Sequence, residues 1–346
     1  MSVLNVAFYG SDELASNIAK KGDSRDVVSY VFKETKDEKV RILSLLRPLK
    51  HPESIRPLLS VLNVSRVGFV EVKQIDASLG EVLVAMKCSE IEVGIAVINP
   101  DSGDWVDPDQ VRVLFEQAKL NWNILEEFPE AHEIREELFS LGQSEDESDE
   151  LVVPLDQKFN VQGIGVVGIG YVQSGNIKKH DQIEIIPGRK PGVVRSLQVM
   201  DDDVNEAGSG DRVGVALRGV DEDDIGKGSM IVLKDSDSLV EMSSTISEMK
   251  EAPFQRRRVA IGDIVHASTN MQFKVGRVIA IQGSAISIEW ESPLVVRKDG
   301  LGVVILVQLD AVPMGLLGLL QRPIRHDYIC ALSNVFFDAI PRELIP

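Results

Sequence analysis

"FNVQGIGVVGIGYVQSGNIKKHDQIEII", residues 159–186, is the stretch that decides the fold of this chain. Its β-formers alternate without a helical period, and Gly163, Gly165, Gly168, Gly170 and Gly175 interrupt them. Glycines inside strands relieve crowding where a sheet bends sharply, so the pattern predicts a sheet closing into a small barrel. Further strands are expected at 193–199, 212–217 and 229–233, with turns between them. From about residue 247 a second all-β section follows, carried by "GDIVHAS" (262–268), "FKVGRVIAIQGSAISIEW" (273–290) and "LGVVILVQL" (301–309).

Upstream the pattern changes. Val3 to Tyr9, Val67 to Val72 and Val93 to Ile98 read as buried strands, and "SLGEVLVAMKCSEI" (78–91) carries apolar residues at helical spacing. Strands alternating with helices imply a parallel sheet covered on both faces. "SLGQSEDESDELVVP" (140–154) then breaks the pattern with nearly contiguous acids, Glu145 to Glu147, Asp149 and Glu150, the composition of a solvated linker. The expected organisation is therefore an α/β domain over 1–145, a β-barrel over 151–240 and a second β-barrel over 246–346.

The 346 residues carry a net charge of −17 and a hydrophobic fraction of 44%. Length and composition suit several globular domains, and the negative balance opposes extended phosphate contacts, so DNA is not an expected partner. Two cysteines, Cys88 and Cys330, offer neither a disulfide framework nor a thiolate metal cluster, and the five histidines lack ligand spacing. A reducing cytoplasm is the expected setting. Apolar runs such as "AVPMGLLGLL" (311–320) are too short to span a bilayer as a helix.

The middle section resembles the second domain of translational GTPases of the elongation factor Tu class. That barrel opens on Phe-x-x-x-Gly-x-Gly-x-Val, here Phe159, Gly163, Gly165 and Val167, and continues with "GDRVGVALRGV" (210–220) and "DDIGKGS" (223–229). Within the class the chain is similar to the archaeal selenocysteine-specific elongation factor, a likeness extended by "ISIEWESPLVV" (286–296). The resemblance implies a GTPase-like domain ahead of two barrels, and it can be tested motif by motif.

A phosphate loop needs small residues whose N–H groups cradle phosphates, a lysine for the β and γ charges, and a hydroxyl for Mg²⁺. Set on that motif, the first strand and helix supply Gly10, then Ala15 for the second glycine, Ser16 for the lysine and Asn17 for the hydroxyl. The family's Asp-x-x-Gly-His falls on Arg47, Pro48, Leu49, Lys50 and His51, so the Mg²⁺-side aspartate is an arginine and the γ-phosphate glycine a lysine. The base-reading motif falls on Asn99, Pro100, Asp101 and Ser102, without its lysine and with its carboxylate displaced to Asp101. Ser11 reads as the N-cap of a helix running to about Gly22, with Asp12 and Glu13 in its first turn, where they oppose an anion. At an effective dielectric near 20, each such charge about 5 Å from a phosphate is worth on the order of 3 kcal/mol. The expectation is a degenerate domain that binds neither GTP nor Mg²⁺ and has no catalytic residues. A divergent but active GTPase requires Lys20, Lys21 or Lys50 to replace the missing lysine.

The resemblance also implies a pocket for the aminoacyl end of tRNA in the first barrel. Its Asp-His-x-Phe pattern corresponds to Asp156, Gln157 and Phe159, and the arginine of Gly-Asp-Arg-Val-Gly to Arg212. An acid and an arginine converging on one pocket recognise an amino group and a polar or acidic group. The plainer alternative is that Asp156 and Arg212 pair with each other at a strand end. Arg256, Arg257 and Arg258 are candidate RNA contacts or an edge-protecting charge run. Expected partners are an aminoacyl-tRNA, the ribosome or a translation-associated protein; a protein-interaction scaffold is the further alternative.

Overall fold

The computed structural model describes residues 2–142, 149–253, 258–298, 300, 302–309 and 316–325. The acids Glu145 to Glu147, Arg256 and Arg257, and Cys330 lie outside them. Three units follow one another, an α/β domain and two closed six-stranded barrels.

The α/β domain runs β1 (Ser2–Tyr9), α1 (Asp12–Ile18), β2 (Lys20–Ser24), β3 (Val27–Lys36), β4 (Lys39–Pro48), α2 (Arg56–Leu62), β5 (Val67–Val72), α3 (Ala77–Cys88), β6 (Val93–Ile98), α4 (Pro108–Gln117), β7 (Asn123–Leu125) and α5 (Ala131–Leu141). Its sheet has the order β2-β3-β4-β1-β5-β6-β7. Strands β4, β1, β5, β6 and β7 are parallel, as their apolar runs and helical crossovers require. The other edge departs from the expected parallel sheet, because β2 and β3 are antiparallel and form a meander with β4. Correspondingly, α1 stops at Ile18 rather than near Gly22. Ala19 is already extended, and Lys20 and Lys21 sit on the exposed strand β2. Ser11 caps α1 as the sequence suggests, its Oγ accepting from Leu14 N at 3.1 Å, and Asp76 caps α3, accepting from Leu79 N at 2.8 Å.

The first barrel comprises β8 (Val153–Val161), β9 (Gly165–Tyr171), β10 (Asn176–Lys178), β11 (Gln182–Ile186), β12 (Lys190–Val199), β13 (Asp202–Val204), β14 (Glu206–Gly208), β15 (Arg212–Arg218) and β16 (Met230–Leu233). The ring β11-β16-β8-β9-β15-β12 closes through the β11–β12 pairing. Gly170 relieves crowding as expected, since a Cβ on it would sit 2.2 Å from the Pro154 carbonyl oxygen, whereas Gly163 has open space around it and a φ of +80°.

The second barrel is β17 (Leu239–Glu251), β18 (Ile264–Thr269), β19 (Gln272–Gln282), β20 (Ala285–Arg297), β21 (Val304–Val307) and β22 (Leu316–Arg325), closed in the order β17-β20-β19-β18-β21-β22. Its first strand begins at Leu239, upstream of residue 246, and passes a register shift between Met242 and Ser244 in its pairing with β20.

One apolar cluster joins all three units, reaching from Leu62 and Val82 in the α/β domain to Tyr171 in the first barrel and Met271 and Leu316 in the second. Polar contacts fix the arrangement. Asn5 Nδ2 donates to the Gly210 carbonyl at 2.8 Å, Gln173 Nε2 to the Asn63 carbonyl at 3.0 Å, and Asn63 Nδ2 to Ser268 Oγ at 3.0 Å. Gly210, with φ +88°, lies so close to β1 that a Cβ there would meet the Val3 carbonyl oxygen at 2.5 Å.

Candidate functional site

The carboxyl ends of β1, β4, β5 and β6 are where an α/β sheet of this topology places a ligand. Only Gly10 and Ser11 separate the end of β1 from the start of α1. A phosphate loop needs a longer excursion to wrap its N–H groups around phosphates. Ala15, Ser16 and Asn17 therefore do not line a loop. They belong to α1, Ala15 buried against the sheet and the other two on its exposed face.

What meets the turn instead is Glu71, in the fully buried strand β5 and itself 3% exposed. Its Oε2 accepts from the Ser11 backbone N–H at 2.6 Å and its Oε1 from Asn99 Nδ2 at 2.6 Å. Packing against Glu71 leaves no room for a side chain at Gly10: a Cβ there would lie 2.8 Å from Glu71 Cβ and 2.9 Å from Glu71 Oε2. Arg47 Nε completes the cluster by donating to the Gly10 carbonyl at 2.6 Å. Thus Gly10, Arg47 and Asn99 do come together, around a carboxylate of the chain itself. Glu71 was not singled out by motif matching, although one acid inside the apolar run "VGFVEV" is its signal.

The neighbouring charges are internally matched as well. Lys21 Nζ donates to Asp12 Oδ1 at 2.5 Å, the Tyr30 hydroxyl donates to the same oxygen, and these two bonds hold the Asp12 carboxyl below the usual carboxylate range. Lys50 pairs with Asp26 at 3.0 Å and Lys73 with Asp101 at 2.6 Å. His51 is turned inward with its side chain 1% exposed, Nε2 2.9 Å from Glu81 Oε2 and Nδ1 3.3 Å from Ser78 Oγ, which in turn meets the Tyr9 hydroxyl at 2.9 Å. Lys50, His51 and Asp101 therefore stand apart from the Glu71 cluster.

A second site lies between the units. The β8–β9 register shifts between Leu155 and Gln157, and both Asp156 and Gln157 line a cavity of about 250 Å³ with Asp23, Tyr171, Arg212 and Lys227. Arg212 Nη2 lies 3.2 Å from Asp156 Oδ2 and 3.6 Å from Asp23 Oδ2, and its guanidinium is 5.6 Å from the Tyr171 ring centre. Asp156 Oδ1, Gln157 Oε1 and Arg212 Nε are buried there without a hydrogen-bond partner. Burial raises the Asp156 pKa, with Arg212 opposing the shift. Two acceptors and a guanidinium N–H left without partners in residues that line one cavity suit a small group carrying N–H donors and an oxygen acceptor. Phe159, at 37% exposure, is on the barrel surface and does not line the cavity. Arg258 is exposed. Among the described residues no grouping of three or more His, Cys, Asp or Glu could hold a metal ion, and no helix is long and apolar enough to cross a membrane.

Burial also raises the tyrosines that border these sites, Tyr9 in direction and Tyr30 and Tyr171 to about 12. A phenol whose folded value exceeds the unfolded value of about 10 stabilises the fold below that pH and loses its contribution as pH climbs through the folded value. Alkaline titration followed by tyrosinate absorbance should therefore show Tyr30 and Tyr171 ionising together with loss of the circular dichroism signal, between about pH 10 and 12. Complete ionisation near pH 10 with the fold intact would contradict this assignment.

Three comparisons place this geometry. The family described as "Elongation factor Tu domain 2" matches residues 165–232. An uncharacterised protein of Methanocaldococcus jannaschii is 31% identical over 233 residues, 67% of this chain and 72% of that protein. The selenocysteine-specific elongation factor of the same organism is 28% identical over 42% of this chain, and the match spans only 33% of that factor. Among solved structures, a bacterial selenocysteine-specific elongation factor superposes with a TM-score of 0.78 at 17% identity, covering 97% of this chain and 61% of that one. The elongation factor of Methanococcus maripaludis gives 0.76 at 19% identity, over 94% of this chain and 81% of that one. Fold and sequence together define a three-domain protein of the translation elongation factor type. The chain carries an elongation factor Tu domain 2 and is similar to translational GTPases of that class, their selenocysteine-specific members included.

Proposed function

We propose that this chain is a pseudo-GTPase, a non-catalytic relative of selenocysteine-type elongation factors that binds neither GTP nor Mg²⁺. In this reading it engages an aminoacyl-tRNA-like RNA or a translation-associated protein through its barrels, in the cytoplasm. The observation that carries the proposal is the Glu71 carboxylate on the Ser11 N–H, at the turn where a phosphate would need that donor. The Methanococcus structure holds a GTP analogue; here a triphosphate would have to displace a buried, doubly hydrogen-bonded carboxylate and approach Asp12 as well. The lysines that a divergent GTPase would need are committed in two of three cases, Lys21 to Asp12 and Lys50 to Asp26.

The partner part of the proposal rests on the cavity around Asp156, Gln157 and Arg212, whose unpartnered atoms match the amino and carbonyl groups of an aminoacyl ester. Protection of aminoacyl-tRNA esters against hydrolysis, compared between wild type and Arg212→Ala, tests that part. The nucleotide part is tested by isothermal titration of the full chain with GTP and GDP in the presence of Mg²⁺. The expected result is no binding tighter than about 1 mM, equivalent to roughly −4 kcal/mol. Small-angle scattering should give the same radius of gyration with and without GTP, since no γ-phosphate contact drives a domain movement. Micromolar binding, or a GTP-dependent change in radius, would overturn the pseudo-GTPase reading.

A further inference from the structure

Three large apolar side chains stand out at one end of the α/β sheet. Trp105 is 77% exposed, Phe128 48% and Ile75 40%. They occupy the loops that leave the carboxyl ends of β6, β7 and β5 respectively, and these three strands are adjacent and parallel. Adjacent parallel strands deliver their following loops to one face, so the three side chains share an end of the domain. Lys73 Nζ to Asp101 Oδ1, at 2.6 Å, ties the β5 loop to the β6 loop, and Arg112 ties α4 to Glu126 in the β7 loop.

The same loops are acidic. Asp104, Glu127 and Glu130 are exposed around the apolar residues, with Asp107 partly so. The basic side chains beside them, Lys73 and Arg112, are already in ion pairs with acids of the patch. Solvent-facing tryptophan and phenylalanine are unfavourable where nothing covers them, and apolar patches rimmed by charge mark association surfaces. The excess of carboxylates repels phosphates, which weighs against nucleic acid or an anionic membrane as the occupant. It attracts a cationic one.

We propose that this end of the α/β domain is a docking surface for a basic amphipathic helix of a protein partner, with Trp105 and Phe128 as the apolar anchors and the surrounding carboxylates meeting its lysines or arginines. The proposal is independent of whether the barrels bind RNA.

The chain carries its own reporter. Trp122 and Trp290 are buried at 8% and 4% exposure, so a shift in tryptophan emission on binding reports mainly on Trp105. The probe is a synthetic amphipathic helix of leucine and lysine, compared with a peptide of equal charge whose leucines are replaced by glutamine. The amphipathic peptide should bind at least about tenfold tighter and move the emission to the blue, and Trp105→Ala/Phe128→Ala should weaken it on the order of tenfold while leaving the charge-matched peptide unaffected. Because both side chains are exposed, the double variant should unfold at the wild-type urea midpoint, which separates lost docking from lost folding. Equal affinity for the two peptides, or undiminished binding by the double variant, would overturn the proposal.

Discussion

Gly10→Val should destabilise the α/β domain by about 3 kcal/mol, in the absence of any nucleotide. A Cβ at this position would lie 2.6 Å from Phe8 Cζ, 2.8 Å from Glu71 Cβ and 2.9 Å from Glu71 Oε2. Phe8 is 1% exposed and packed against Phe69, with ring centres 5.1 Å apart, so it has no free space to retreat into. Glu71 moves only by giving up its bonds to Ser11 N and Asn99 Nδ2, which leaves donors unpaired at roughly 1–3 kcal/mol. Urea unfolding followed by circular dichroism measures the sum. The result also discriminates between roles for the glycine. If Gly10 is kept for a phosphate, valine would chiefly abolish nucleotide affinity and leave stability within about 1 kcal/mol of wild type, the range of a tolerated surface change.

The barrels were legible because period-two alternation and interrupting glycines leave few other readings, and β1, β5 and β6 because continuous apolar runs bounded by turns are buried strands. Strand β2 was not legible. "KKGDS" has no buried residue, and its conformation comes wholly from pairing with β3. Nothing in the local sequence therefore ends the helix at Ile18 rather than near Gly22. The departures from the nucleotide motifs were legible in the sequence, but Glu71 at the turn was not, since matching positions to a motif shows which residues differ and never what meets them in space. Glu71 lies outside every motif, and its partners Ser11 and Asn99 approach it only because β1, β5 and β6 are neighbours. In the cavity, the identities of Asp156 and Arg212 followed from the resemblance. The irregularity in β8 that brings Gln157 to the same wall, and Asp23 arriving from the α/β domain, are tertiary facts with no local signature.

Arg212→Ala is expected to cost about 3 kcal/mol at neutral pH, near the low end for breaking a buried ion pair, because the Arg212 and Asp156 side chains keep 23% and 19% exposure. The loss comes less from the missing attraction than from leaving Asp156 buried with Oδ2 deprived of its guanidinium and Oδ1 already unpartnered. Burial raises the Asp156 pKa and Arg212 is the main influence lowering it, so the variant should raise it further. A carboxyl whose folded value lies above its unfolded value favours the fold below the unfolded pKa and loses that contribution as pH rises through the folded one. The destabilisation by Arg212→Ala should consequently shrink on acidification. Adding Asp156→Asn, which removes the stranded charge, should restore most of the stability at neutral pH. Urea midpoints for the two single variants and the double, at neutral and acidic pH, complete the cycle. The double variant then separates the two roles open to this pair. If Asp156 and Arg212 serve only each other, restoring stability restores all that was lost, including any protection of an aminoacyl-tRNA ester. If they face a ligand, the double variant folds as well as wild type and still fails to protect it.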